Sequence, residues 1–172
     1  TLGAAVAPVL IGTSIAISDG FFHLLSCLLC LFAAVLIQIG TNFSNDYYDF
    51  FKGADTSERL GPKRVTQSGL LAPDAVKQLF IIVFGMAVLC GFFLVLRGGW
   101  PILIIGILSI ASGILYTGGP FPLAYHGLGD VFVLLFFGPI AVSGSYYVQA
   151  LQWSELAILA GFIPGLTATA LI

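Results

Sequence analysis

Charged residues are scarce in this sequence. Only 8% of its 172 residues are Asp, Glu, Lys or Arg, whereas 59% are hydrophobic; ordinary soluble domains carry about 25% charged residues. The mean hydropathy is +1.07. Several apolar runs approach or exceed the roughly 18 to 20 residues that a membrane-spanning helix needs. This composition excludes a soluble globular domain and predicts an all-α, polytopic transmembrane helix bundle.

Basic residues and cysteines are also few, and their positions exclude further classes. Six Lys and Arg residues are too few for a nucleic-acid surface, and no feature indicates a protein partner. Cys27, Cys30 and Cys90 all lie inside apolar runs, so we interpret them as side chains buried in helix packing. The sequence begins at Thr1 without the basic segment of a signal peptide, and we expect the native N-terminus to be missing.

Six apolar runs predict six membrane helices in a single domain, at residues 1–17, 21–45, 78–96, 100–116, 131–148 and 156–172. Two longer polar segments, 50–77 and 117–130, separate some of them. Five of the six basic residues lie between positions 52 and 77, and loops rich in Lys and Arg stay in the cytoplasm. We therefore expect both polar segments on the cytoplasmic side of the cell inner membrane.

The acidic residues indicate a metal site. Asn42, Asp46 and Asp49 are spaced i, i+4, i+7, so they project from one face of the second helix. Gly53 is predicted to end that helix, after which Asp55 could turn towards the other acids. Mg²⁺ takes one or two protein carboxylates and completes its shell with water and phosphate oxygens. We predict that Asp46, Asp49 and Asp55 bind Mg²⁺; the alternative is a solvated helix end.

Three basic residues follow these acids closely. Arg59, Lys63 and Arg64 could bind phosphate oxygens directly through charge-assisted hydrogen bonds. The alternative is a membrane anchor that contacts anionic lipid headgroups. The two interpretations can hold at the same time.

Aromatic and titratable residues complete the set of candidates. The rings of Tyr47, Tyr48 and Tyr116 could face a carbocation, or could belong to the aromatic belt at the membrane surface. His126 and Asp130 lie in the second polar segment. We interpret them as a pair that binds substrate or handles a proton, with a structural role for the histidine as the alternative.

The motifs NDYYDFFKGADT, RLGPKRVTQSGLL and LYTGGPFPLAYHGLGD resemble the UbiA superfamily of membrane prenyltransferases, most of all its 1,4-dihydroxy-2-naphthoate polyprenyltransferase branch. The resemblance runs over essentially the whole chain. It implies about nine helices around a central cavity, six of them here, with a second aspartate-rich motif beyond Ile172. It also implies Mg²⁺-dependent transfer of a polyprenyl group from polyprenyl diphosphate to 1,4-dihydroxy-2-naphthoate, with decarboxylation, in menaquinone or phylloquinone synthesis.

The resemblance also assigns roles to individual residues. In the family, aspartate-rich motifs bind Mg²⁺ and the diphosphate, and the first motif matches Asn42, Asp46 and Asp49. The commoner pattern places its last acid about where Gly53 stands. The naphthoate branch instead uses an acid that matches Asp55.

Further matches surround the diphosphate. Lys63 and Arg64 match positions expected to hold it, and Tyr116 matches a tyrosine nearby; the basic residue that often follows this tyrosine in relatives is absent from TGGP. Another UbiA-type enzyme, with a 4-hydroxybenzoate, homogentisate or haem acceptor, is the first alternative. A transporter is the second, although its charges should line the membrane midplane rather than gather at one edge.

Overall fold

The computed structural model describes residues 1–53 and 64–171. Across these residues the chain is helical and contains no β-strand, which confirms the all-α prediction. A short 3₁₀ turn at Ala124–His126 lies between the fourth and fifth helices. The helices are α1 (Leu2–Ser18), α2 (Leu24–Lys52), α3 (Pro73–Gly98), α4 (Trp100–Leu115), α5 (Gly129–Phe136), α6 (Pro139–Ala150) and α7 (Glu155–Leu171).

The bundle carries its apolar residues on the outside as well as inside. Three stretches are long and apolar enough to cross a bilayer: α2, α3 and the span that α5 and α6 form together. The other three helices are apolar and have 16 or 17 residues. Side chains such as Leu89, Leu96 and Ile163 are 65–70% exposed, and soluble proteins rarely expose apolar surface this extensive. The protein is therefore an integral membrane protein.

Helix α2 extends past the apolar run at 21–45 and ends at Gly53. It begins at Leu24 rather than at position 21, because the side chain of His23 accepts a hydrogen bond from the Ser26 N–H and caps the helix. It continues through the acidic residues to Lys52 and has 29 residues, or about 43 Å at 1.5 Å per residue. Gly53 ends it in the left-handed conformation with φ +66°, so the predicted helix end is confirmed.

Two other predicted boundaries are wrong. Helix α3 begins at Pro73, five residues earlier than expected, because proline fits the first helical position and Asp74 interacts favourably with the helix dipole there. The continuous helix predicted at 131–148 is two helices. Pro139, which has no N–H to continue the hydrogen-bond ladder, begins α6. A side chain at Gly138 would lie 2.7 Å from the Gly161 carbonyl oxygen, so α7 packs closely into the break.

Close helix crossings bring the cavity walls together. A Cβ atom at Gly12 of α1 would lie 2.3 Å from the Val142 carbonyl oxygen of α6. A Cβ atom at Gly113 of α4 would lie 2.3 Å from the Thr41 hydroxyl oxygen of α2. Real Cβ atoms do not approach other atoms this closely. The α1–α6 crossing therefore requires glycine because the contact is with backbone, whereas at Gly113 the Thr41 side chain would have to rotate away. Small residues commonly permit such contacts between membrane helices.

Replacing Gly12 by Ala is expected to destabilise the full-length protein by about 1–3 kcal/mol, the usual cost of overpacking. The new methyl group would meet backbone of α6, which cannot rotate away. Thermal unfolding in detergent measures the effect. Gly85→Ala is the matched control, because its new methyl group would meet no described residue within 4 Å and alanine favours a helix over glycine. Equal stability of the two variants would contradict the close α1–α6 contact.

Candidate active site

A cavity of about 950 Å³ lies between α1, α2, α3, α4, α5 and α6. Most of its wall is apolar, and its charged side chains gather near the end of α2. The side chains that contribute to this polar end are Gln38, Asn42, Asn45, Asp46, Asp49, Arg64, Tyr116, Thr117 and Tyr125. The cavity is therefore amphiphilic, with fixed charge at one end only.

Asp46 is buried on the inner face of α2, with 4% of its surface exposed. Its Oδ2 atom accepts a hydrogen bond from the Val65 N–H at 3.0 Å, and its Oδ1 atom accepts one from the Thr66 N–H at 3.3 Å. Hydrogen bonds from N–H groups to a carboxylate offset part of the cost of burying the charge. Asp46 thus fixes the turn after position 64 against the cavity.

Asp49 lies three residues after Asp46 on α2 and joins three parts of the chain. Its Oδ2 atom lies 3.3 Å from Arg64 Nη2 in a partly buried ion pair. Its Oδ1 atom accepts a hydrogen bond from the Tyr125 hydroxyl at 2.7 Å. Arg64 Nη1 also donates to the Asn42 carbonyl oxygen at 3.5 Å. The structure thus brings Asn42, Asp46, Asp49 and Arg64 together at this end of the cavity.

The segment between α4 and α5 is fastened over the end of α2 by residues that the sequence reasoning missed. The Lys52 ammonium donates to the Thr117 carbonyl oxygen and lies 5.1 Å from the centre of the Tyr125 ring. The Thr117 hydroxyl donates to Asn45 Oδ1 at 2.9 Å. We call these contacts, together with the Tyr125–Asp49 hydrogen bond, the latch. The sequence did offer one signal for these residues, because Asn45 and Lys52 flank the acids on α2.

Tyr116 lies directly after α4 and lines the cavity, as predicted. Its hydroxyl is near the start of α5, since a Cβ atom at Gly129 would be 3.2 Å from it. Burial raises the pKa of Tyr116, and the carboxylates of Asp130 and Asp49 raise it further. The phenol therefore keeps its proton at neutral pH and is available as a hydrogen-bond donor.

The remaining candidates are placed differently. Asp55, Arg59 and Lys63 lie outside the described residues. His126 stacks on the Phe121 ring at 3.6 Å, and its Nδ1 atom lies 2.8 Å from a backbone carbonyl oxygen. Asp130 is in the first turn of α5.

His126 and Asp130 are both exposed, and no hydrogen bond joins the two in the described part of the chain. Their predicted roles remain predictions.

Tyr47 and Tyr48 form an aromatic cluster between α2 and α3. The ring of Tyr47 is 5.2 Å from that of Tyr48 and 5.8 Å from that of Phe80. Tyr48 also covers Gly118, where a Cβ atom would lie 2.6 Å from the ring. These contacts do not favour a role facing a carbocation, because the two rings pack between helices rather than along the described cavity wall.

A comparison with known protein families identifies the chain. The model of the UbiA prenyltransferase family matches residues 5–172. The chain belongs to this family. The match includes every residue at the polar end of the cavity.

Several individual relatives of this UbiA family member carry the same name, 1,4-dihydroxy-2-naphthoate octaprenyltransferase. The protein from Escherichia coli (strain K12) is 41% identical over 178 residues, which cover 100% of this chain and 58% of the relative. The one from Bacillus subtilis (strain 168) is 38% identical over 92% of this chain and 51% of its own length. The one from Haemophilus influenzae (strain Rd) is 38% identical over 100% of this chain and 58% of its own length. The chain thus spans little more than half of these relatives.

The residues of this UbiA site fit a magnesium ion that also contacts a phosphate. Asp46 and Asp49 line the same end of the cavity, and Mg²⁺ commonly uses one or two carboxylates together with phosphate oxygens. Each carboxylate oxygen has two acceptor sites, and the hydrogen bonds given above account for one on each. Within 1–53 and 64–171, no three carboxylate, imidazole or thiol groups come together.

Proposed function

We propose that the full-length protein transfers a polyprenyl group from polyprenyl diphosphate to 1,4-dihydroxy-2-naphthoate, with loss of CO₂, in menaquinone or phylloquinone synthesis. The observation that carries this proposal is the amphiphilic cavity. Its charged end suits a diphosphate and its apolar wall suits a prenyl chain. The names of the relatives support the choice of aromatic acceptor.

Arg64 is the residue that we expect to bind the diphosphate directly. Its guanidinium lines the cavity beside Asp49, and guanidinium groups bind phosphate oxygens with two parallel hydrogen bonds. The protonated hydroxyl of Tyr116 would donate a further hydrogen bond to the departing oxygen. Asp46 and Asp49 would hold Mg²⁺, which supplies positive charge to the leaving diphosphate when it is bound.

The reaction breaks the bond between the prenyl C1 atom and the bridging oxygen, whose electron pair leaves with the diphosphate. A carbon of the electron-rich naphthoate ring then bonds to C1, and the carboxyl group leaves as CO₂ and a proton. The apolar wall keeps water from the allylic cation. The latch would hold the second polar segment over the site while this happens.

The membrane orientation that we propose is unchanged from the sequence prediction. Among the described basic residues, Lys52, Arg64 and Lys77 lie near the polar end of α2 or the start of α3, whereas Arg97 lies in the last turn of α3. The basic end would face the cytoplasm of the inner membrane. Water-soluble dihydroxynaphthoate and the released diphosphate would then use the cytoplasmic side.

Prenyl transfer by the full-length protein in membranes tests the proposed function. The assay supplies octaprenyl diphosphate and dihydroxynaphthoate, with and without Mg²⁺, and measures the prenylated product. We expect product that depends on Mg²⁺. Product with 4-hydroxybenzoate or homogentisate but not with dihydroxynaphthoate would assign the protein to another UbiA-type reaction. Product that forms in the presence of EDTA, without added Mg²⁺, would contradict the proposed Mg²⁺ dependence.

Replacing Tyr125 by Phe is expected to lower kcat/KM about tenfold. The change removes the hydrogen bond to the Asp49 carboxylate, and such bonds to charged groups contribute about 1.5–3 kcal/mol, but it keeps the ring that lies beside Lys52. Tyr147→Phe is the matched control, because its ring stacks on Trp153 away from the acids. Equal activity of the two variants would show that the latch has no part in the reaction.

A further inference from the structure

An apolar cluster lines the end of the cavity away from the acids. Ala33, Leu94, Ile102 and Val148 contact one another there, and each is at most 9% exposed. They come from α2, α3, α4 and α6 respectively, so four helices meet at this point. All four residues also line the cavity. We call this cluster the floor.

The floor is held from behind by polar contacts that fix its position. The Arg97 guanidinium donates to the carbonyl oxygens of Val148 at 2.7 Å and Gln149 at 3.1 Å. Ile102 lies over Gly98, where a Cβ atom would be only 2.5 Å from the isoleucine side chain. The end of α6 and the start of α4 are thus both fixed against the end of α3. A ligand that reaches the floor meets a wall with little freedom to move.

The depth of the cavity corresponds to a definite number of prenyl units. Asp46 and Ala33 both line the cavity and are thirteen residues apart on α2, which is about 20 Å along the helix axis at 1.5 Å per residue. A prenyl unit adds four carbon–carbon bonds of about 1.5 Å, or about 5 Å when extended. A chain of about four units, with its diphosphate at Asp46, would therefore reach the floor.

We propose that the floor is the site that receives the far end of the prenyl chain, and that Ala33 determines how many prenyl units can enter. This inference rests on the proposed function. Donors of two units stop well short of Ala33. Donors of four units end against it, and longer donors must turn out of the cavity at this point.

Ala33 is the member of the floor at which size matters most. It has the smallest side chain of the four, and it lies on the same helix and in the same cavity as the metal-binding acids. A larger side chain there would occupy space that the last prenyl unit needs. The contacts of Asp46, Asp49 and Arg64 would be unaffected, because they lie more than three helical turns away.

The test compares two donors in the full-length enzyme, geranyl diphosphate with two units and geranylgeranyl diphosphate with four. We expect Ala33→Leu to lower kcat/KM at least tenfold for the longer donor and at most twofold for the shorter one. Ala33→Val should also lower kcat/KM more for the longer donor than for the shorter one, but by a smaller factor. This variant replaces Ala33→Leu in the test if the leucine variant does not fold. Ala111→Leu is the matched control, since Ala111 is half-buried on α4 and lies outside the described cavity wall.

The outcomes are distinguishable. A change in the ratio of the two kcat/KM values that is specific to position 33 supports the proposal. An unchanged ratio in an active enzyme, including an equal loss for both donors, overturns it and leaves the proposed function standing. A wild-type enzyme that transfers an octaprenyl group but uses neither shorter donor overturns the role of the floor, because a four-unit donor should then be accepted. A wild-type enzyme that uses none of the three donors with any aromatic acceptor overturns the proposed function, and the role of the floor with it.

Discussion

Asp46→Asn is expected to lower kcat/KM for prenyl transfer at least about 100-fold, which is about 2.7 kcal/mol of transition-state stabilisation. The substitution removes the negative charge with which Asp46 would hold Mg²⁺ but keeps a carbonyl oxygen of the same reach. That oxygen can still accept a hydrogen bond from the Val65 or Thr66 N–H. The turn after position 64 should therefore stay in place while the charge is lost.

Measurements of activity and stability together decide how this loss arises. Activity is measured in membranes as a function of Mg²⁺ concentration, and thermal unfolding is measured in detergent. Asp74→Asn is the matched control, because Asp74 is an exposed aspartate in the first turn of α3. Full activity of Asp46→Asn would contradict our assignment of the metal site, whereas a large fall in stability would show that Asp46 acts mainly by holding the turn.

Arg64→Gln is expected to raise the KM for the prenyl diphosphate about 100-fold. The substitution removes the guanidinium that would bind the diphosphate, and it also leaves the Asp49 carboxylate with one partner fewer. Loss of one member of a buried charge pair is costly because the other charge remains buried. Arg64→Lys keeps the charge without the planar pair of donors, so it should recover part of the affinity.

The controls for Arg64 separate binding from general electrostatics. Lys77→Gln removes a positive charge from the exposed surface of α3 and should change the KM by less than twofold. The KM of the acceptor should also stay within twofold in Arg64→Gln if the guanidinium binds the diphosphate alone. An equal rise in the KM values of donor and acceptor would instead indicate that the whole polar end has been displaced.

The sequence alone predicted the fold class and the side of the site that belongs to α2. Asn42, Asp46 and Asp49 share a face because helical periodicity is a local property, and Gly53 ends the helix for an equally local reason. The apolar runs located six membrane segments for the same reason. One local signal was missed: Pro139, which cannot continue the hydrogen-bond ladder, divides the predicted fifth segment in two. The close packing of α7 into this break, where a Cβ atom at Gly138 would lie 2.7 Å from the Gly161 carbonyl oxygen, is a tertiary contact that local patterns do not show.

The latch could not be predicted from local patterns. Tyr125 reaches Asp49 across 76 positions of sequence, and Thr117 reaches Asn45 across 72. Nothing in the sequence near Tyr125 distinguishes its hydroxyl from that of Tyr47 or Tyr48, which pack among aromatic rings instead. The assignment of a tyrosine to the site or to helix packing thus depends on how α4 and α2 cross.

The length of α2 has a consequence for how substrate reaches the cavity. Asp46 is twenty-two residues from the start of the helix, or about 33 Å along it, and the hydrocarbon core of a bilayer is about 30 Å thick. With Leu24 at the far edge of the hydrocarbon core, the carboxylates would lie level with the lipid headgroups, at the depth where the proposed diphosphate donor would carry its own charge. Such a donor meets the enzyme by diffusing within a plane. Its effective concentration is then its mole fraction among the lipids, so adding inert phospholipid at constant total donor should slow the reaction.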